Sequence, residues 1–555
     1  MIRVPRFLRL SSLLLAAAPQ LALPTSSDAQ VAEATTVWTF TAGQSIEWLR
    51  FLPSGPLVVS ADDGLRAIDP ATGQVLWTRS DLGNVSQATY EGSQQGTPMS
   101  SAGGGAPAAG ATIRVMEELP GGKLMAILAD SGGRHSWFDV VDVATGTTRW
   151  SSTALPIGEA HGFLPFPDST SLLVYGLLIE PGRSRRLWAR VDAASGQVRW
   201  VSDSLLLEIP AQFDPTAMAA STGTVNGNQP LIALPDSSLL LYSSADGLVR
   251  FDYATGRVRW RVRMSSAELA PIGQGYAPMV VSGDTAYLPA WKSVEAVDLT
   301  AGRRLWATPG FSTMTTQLVA TKGGILVRGV PNLLAGQDPR VIKPFAALVD
   351  AATGKPRWKT DWGARTGVTP FLVEGDAAVL ASDKGMLRLQ LSTATADTVG
   401  KAEKLPGRPA ASLEPWEGGL LLSAAQSLTL YEPDGAVRYQ QEYPAPTMSL
   451  GGRLLRVALG AAAIAGGVYY SGGYLAGSAF AHYQYSHSAY TSAYTYFVLK
   501  DHNGTGPALG RIDKNNGKLI GVIGLAGDKT PEYVISQVSG QVVIKQDKTL
   551  TAWRW

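Results

Sequence analysis

The sequence predicts an all-β fold, a small antiparallel sheet repeated many times and closed into one ring. Three observations predict it. A ten-residue phrase returns along the chain, a second hairpin precedes most of its copies, and the two chain ends carry complementary fragments of one unit. The phrase reads IDPATGQVLW at 68–77, VDVATGTTRW at 141–150 and VDAASGQVRW at 191–200. It returns as FDYATGRVRW at 251–260, VDLTAGRRLW at 297–306 and VDAATGKPRW at 349–358. Recurrence at ~40–60 residues marks one supersecondary unit used repeatedly.

Each position of the phrase has a physical task. The residues before Asp alternate in polarity, as in LRAID (65–69), which reads as a half-buried strand. Asp69, Asp142, Asp192, Asp252, Asp298 and Asp350 then accept hydrogen bonds from the backbone just ahead and start a turn. Gly73, Gly146, Gly196, Gly256, Gly302 and Gly354 supply the positive φ that the turn requires. Alternation resumes after Gly, so Val75 and Trp77 are expected on one face of the next strand. Trp77, Trp150, Trp200, Trp260, Trp306 and Trp358 end the units, each able to bury ~150–250 Å² against a neighbour.

The phrase resembles the tryptophan-docking motif of the pyrroloquinoline-quinone (PQQ)-type β-propellers, over about Val37 to Trp555. That superfamily contains quinoprotein dehydrogenases and the non-enzymatic propeller lipoprotein of the bacterial outer-membrane β-barrel assembly machine. The resemblance implies a single closed propeller of four-stranded blades and leaves the activity open.

Weaker copies extend the array. SLTLYEPDGAVRY (427–439) has Glu432 and Tyr439 in the Asp and Trp slots. GRIDKNNGKLIG (510–521) keeps Asp513 and Gly517, and MLRLQLSTATADTV (386–399) keeps only the alternation. Hairpins such as APMVVSGDTAYLPA (277–290) and TPFLVEGDAAVLAS (369–382) supply the other strand pair. The stretch 531–555 offers three strands without a fourth, while VWTF (37–40) is an orphan that looks like a Trp-bearing fourth strand. The N-terminal strand is therefore expected to complete the last blade, removing two open edges. Counting units gives about ten. The habit of the superfamily favours eight.

A ring of this kind absorbs 555 residues as one unit, and 60 Gly with 34 Pro fit its many turns. Residues 1–29 read as a cleaved export signal, with Arg3, Arg6 and Arg9 before the apolar run 10–23. The competing membrane anchor is disfavoured by the short run and by Pro19. This predicts a periplasmic or secreted protein. Removing three Arg and one Asp from 47 basic and 45 acidic residues leaves 44 of each, and no basic stripe points to nucleic acid. With no Cys, disulfides, thiolate chemistry and a lipid-modified N-terminal Cys are excluded. The assembly lipoprotein carries such a Cys, so the resemblance breaks there.

Three stretches interrupt the rhythm. Residues 84–112 are Ser/Gly/Ala/Gln-rich and predicted disordered. Residues 204–230 form a long connection. Residues 450–497 contain the uncharged run 457–481 followed by a Tyr-rich segment. The run is long enough to span a membrane. Repeat units on both sides must nevertheless share a compartment, so it is expected to leave and return on one side. A Gly/Ala-rich hairpin packed on the propeller is favoured, and a membrane- or partner-contacting element is the alternative.

No catalytic set stands out. His135, His161, His482, His487 and His502 show no metal-ligand spacing. DKNNGK (513–518) resembles the start of a calcium loop but coincides with the repeat turn and lacks a closing Glu. No residue matches the Ca²⁺–quinone site that a dehydrogenase needs. The sequence thus favours a non-catalytic scaffold contacting envelope or outer-membrane proteins, without cofactor. The alternative is a quinoprotein dehydrogenase holding PQQ and calcium in a divergent site.

Overall fold

The computed structural model describes residues 31–82, 112–130, 136–203, 231–330, 343–399, 410–446 and 493–555, with short breaks inside them, the longest at 264–276. The expected export signal (1–29), the connection 204–230, and all but the last residues of 84–112 and 450–497 lie outside the described residues.

The described strands form ten four-stranded sheets, the upper count the sequence allows in place of the favoured eight. In chain order they span 46–79, 112–151, 159–202, 232–262, 280–307, 315–361, 372–399, 410–442, 494–524 and 532–554. The last two borrow strands from the other end of the chain. Thr35–Thr41 pairs antiparallel with Thr549–Arg554 and supplies the tenth sheet's fourth strand. Ala32–Glu33 lies parallel outside Leu519–Gly524 of the ninth. One 3-10 turn, Ser152–Ala154, is the only helical element among the described residues, and no described helix is long and apolar enough to cross a membrane.

Two boundaries move. Thr112 opens the strand Thr112–Glu118, and 494–497 belong to the buried strand Tyr494–Leu499. Ladder pairing claims these residues from the two interruptions. One facial assignment also changes. A register shift between Ala67 and Ile68 puts Trp77 opposite Ala67 and Val75 opposite Ile68, so Trp77 is 7% exposed and Val75 41%. A bulge breaks the alternation that would have placed them together.

The core is not one mass but ten clusters, each shared by two successive sheets. Trp77 and Leu65 of the first sheet meet Met125 and Val141 of the second. Val534 and Leu550 of the tenth meet Leu57 and Ile68 of the first, which closes the ring. Middle strands such as Leu57–Ala61 and Phe345–Val349 are buried throughout, because a neighbouring sheet covers each face. Fourth strands such as Arg303–Ala307 are mostly exposed and form the outer rim.

A chain beginning at Ala42 loses both borrowed strands and Trp38. Its urea titration should show a loss of at least ~3–5 kcal/mol relative to a chain beginning at Val31.

Candidate functional site: docking seams and the long-connection face

The repeated Trp acts across the seam between sheets. In five of the six phrases the indole N–H donates to the carbonyl just after the Asp of the next unit. Trp77 donates to Val143 at 2.8 Å, Trp150 to Ala193 at 2.9 Å and Trp200 to Tyr253 at 3.0 Å. Trp260 donates to Leu299 at 3.2 Å and Trp306 to Ala351 at 3.0 Å. Trp38 donates to Pro70 at 2.7 Å and carries the series from the tenth sheet to the first.

The turn that receives the indole is built by the other two residues of the phrase. Asp69 Oδ1 accepts from Ala71 N at 2.9 Å, and Asp350 Oδ1 accepts from Thr353 N and Oγ1 at 2.8 Å each. Asp142, Asp192, Asp252 and Asp298 repeat this arrangement. The glycines have two reasons to be there. Gly73, Gly146, Gly196, Gly256, Gly302 and Gly354 all have φ between 61° and 75°. A Cβ on Gly146 would also lie 2.6 Å from the Trp77 ring, and one on Gly354 2.5 Å from Trp306. The indole lies flat on the turn, so the second reason is steric.

Other seams reach the same end differently. Tyr439 stands on Gly517 and donates to the Lys514 carbonyl, and Tyr443 Oη donates to Gly517 O at 2.7 Å. Lys514 is buried, 2.9 Å from Glu414 and 4.9 Å from the centre of the Trp416 ring. In the ninth sheet the Trp slot is Gly521, and Trp555 of the tenth packs against it. Trp358 packs among the apolar residues of the seventh sheet, where Arg357 donates to the Leu391 and Ser392 carbonyls. In that seventh turn Ala394 takes the Gly slot with φ 57°. Asp376 of the preceding turn replaces the missing Asp, binding Ser392 N at 3.0 Å and Gln390 Nε2 at 2.6 Å.

Sequence reading missed a second clamp. Arg190 stacks 3.6 Å from the Tyr253 ring centre and donates to the Tyr253 carbonyl. Arg250 donates to the Leu299 carbonyl at 2.5 Å and to Asp236 at 2.6 Å. Both share their acceptor carbonyl with an indole. The signal was present as Arg-apolar-Asp at 190–192, 250–252 and 511–513.

The carboxylates are committed to these turns. Arg149 beside Asp142 holds that carboxyl below its usual range, as the Ser195 hydroxyl does for Asp192 and the Thr353 hydroxyl for Asp350. Asp236 is lowered to about 2, chiefly through Ser238. Asp513 is occupied by Asn515 N and Asn516 Nδ2. Among the described residues no group of three or more His, Asp or Glu is placed to hold a metal. His135, His482, His487 and His502, and the His161 side chain, lie outside the described residues.

Strand direction sorts the connections onto two faces. Links from first to second and from third to fourth strands emerge on one face, and those among the described residues are short, such as 52–56 and 69–74. Links from second to third strands and from sheet to sheet emerge on the other. These include 80–111, 203–231 and 330–344, whereas 443–493 leaves from that face and returns on the face of the Asp-Gly turns, where Tyr494 lies opposite Asp513. Two of the three interruptions that the sequence singles out, 84–112 and 204–230, are thus anchored on one face of the ring, and the third runs from that face to the other.

A closed ring with indole-on-glycine seams defines the PQQ-like class of β-propeller repeat proteins. Within it, the chain belongs to the family whose model is described as outer membrane protein assembly factor BamB, which matches residues 134–336 and 292–478. No curated protein matches the chain. Among solved structures it is similar to BamB from Moraxella catarrhalis, at 15% identity over 74% of this chain and 99% of that one, with a TM-score of 0.35. The computationally designed Ika8 protein follows at 12% identity, 72% and 96% coverage, and 0.34. The C-terminal WD40 domain of Sif2 shares 8% identity, with 95% and 99% coverage and 0.35. Scores this low carry no argument about function.

Two outcomes follow. Gly146→Ala should destabilise by ~2 kcal/mol or more through strain and clash. Ala394→Gly should be neutral to stabilising by up to ~1 kcal/mol, since relief of left-handed strain offsets added backbone entropy. Urea titration reads both. For pH, the lowered Asp pKa values mean that the unfolded chain binds more protons as pH falls through ~4 toward ~2. Stability should be present at pH 5 and lost progressively in that window, read as a lower urea midpoint at pH 3.

Proposed function

We propose that this protein is a non-catalytic propeller scaffold of the cell envelope, exported by a cleaved leader and working in outer-membrane protein assembly without a cofactor. Its partners are envelope or outer-membrane proteins. What supports this is the family match over residues 134–478, combined with a turn chemistry that uses the phrase's carboxylates for structure. Loops on a rigid frame are the usual carriers of contacts. The long-connection face is therefore the contacting face, and the segment between Pro444 and Tyr494, which leaves from it, is the main docking element. That segment leaves the ring beside Lys500, whose N donates to Pro444 O at 2.7 Å, and rejoins it at the other end of the strand Tyr494–Leu499.

The test is affinity purification of the tagged protein from detergent-solubilised envelopes, with mass spectrometry of the recovered proteins. It is paired with a variant in which 450–483 is replaced by a short Gly/Ser linker, which spares the strand Tyr494–Leu499. The expected result is recovery of outer-membrane barrel or assembly components, lost in the variant while its melting transition is kept. Equal recovery from both proteins would remove the docking role. Thermal stabilisation by PQQ with Ca²⁺, following RT ln(1 + [L]/Kd), would move the assignment to an enzyme.

A further inference from the structure

We infer that the ring has a built-in yielding seam between its seventh and eighth sheets, where it opens before it opens anywhere else. Four observations converge there. The slot opposite the residue two before the Asp position, filled by Trp77, Trp200 or Tyr439 in other sheets, holds the exposed Asp397 in the seventh, opposite Arg388. The eighth sheet's receiving turn is also a residue shorter, with Gly435 three rather than four residues after Glu432. Glu432 is paired with Arg438 of its own sheet. Among the described residues, no indole, phenol or guanidinium hydrogen bond crosses this seam.

The apolar seal is correspondingly thin. Among the described residues, Val379, Ala381, Met386, Leu422 and Tyr431 are its five buried members, against seven to fifteen at the other seams. One of the five is a poor fit. The Tyr431 hydroxyl is buried with no hydrogen-bond partner among the described residues, and burial pushes its pKa up to about 12. Thr429 on the same strand is also buried with an unpartnered hydroxyl. A buried polar group without a partner costs free energy that opening returns, because water satisfies it. Local openings follow the least stabilised contacts. The seam also divides the ring unevenly. Six successive indole docks run from the tenth sheet round to the sixth, and the irregular seams lie in the arc that carries 443–493.

The chain has no cysteine, so a single introduced thiol reports one seam. Met386 is 1% exposed on this seam, and Met125 is 0% exposed on the Trp77 seam between the first and second sheets. Met386→Cys and Met125→Cys are matched substitutions. Both are labelled with a thiol reagent under native conditions, after circular dichroism shows an intact fold. The Met386→Cys thiol should react about tenfold or more faster, since labelling tracks the open population when closing is fast. A smaller ratio, or the reverse order, overturns the proposal. Should either variant fail to fold, the unmodified chain serves. Dilute peroxide should then oxidise Met386 before Met125 by the same factor, read by peptide mass spectrometry.

Discussion

An indole lying flat on a glycine turn is the contact on which this ring depends. It joins a hydrogen bond, an aromatic surface and a backbone conformation at one point. Each sheet has only four short strands and cannot bury its own faces. The seam clusters supply the missing apolar contact, and the indole sets how neighbouring sheets stand against one another. Trp77, Trp150, Trp200, Trp260 and Trp306 act forward along the chain. Trp38 carries the same contact from the tenth sheet back to the first, so closure uses the bond that propagation uses.

That economy has a consequence for function. The face bearing the Asp-Gly turns carries the docks, and a change of length in one of those turns would disturb a dock. The opposite face has no such duty, and the long connections 80–111, 203–231 and 330–344 emerge there. The chain can keep a conserved-looking frame while its long connections diverge, and similarity of frame then says little about the partner.

Much of the frame was legible because its requirements are local. Asp before a turn, Gly at positive φ and Trp after it can be read from ten residues, and VWTF before residue 41 revealed the closing strand. Elements that depend on contacts distant in sequence were not legible. Nothing in MLRLQLSTATADTV announces that Asp376, fourteen residues before Gln390, completes its turn. Nothing near Gly521 announces Trp555. The count of ten was within reach, but degenerate phrases at 386–399 and 427–439 made family habit look safer than counting. The bulge at Ala67–Ile68 was invisible because alternation gives no sign of an inserted residue. The face of the long connections emerged from strand direction, which follows only once every strand has been assigned.

The most direct test of the docking account is a double-mutant cycle at one seam, Trp200→Ala with Gly256→Ala, followed by urea unfolding. A Cβ on Gly256 would sit 2.7 Å from the Trp200 ring. With the indole removed, the Gly256→Ala penalty should shrink to the left-handed backbone cost of ~1–2 kcal/mol. The coupling between the two positions should then exceed ~1 kcal/mol. Additive penalties would mean that the glycine serves its turn alone and that the indole does not set the seam.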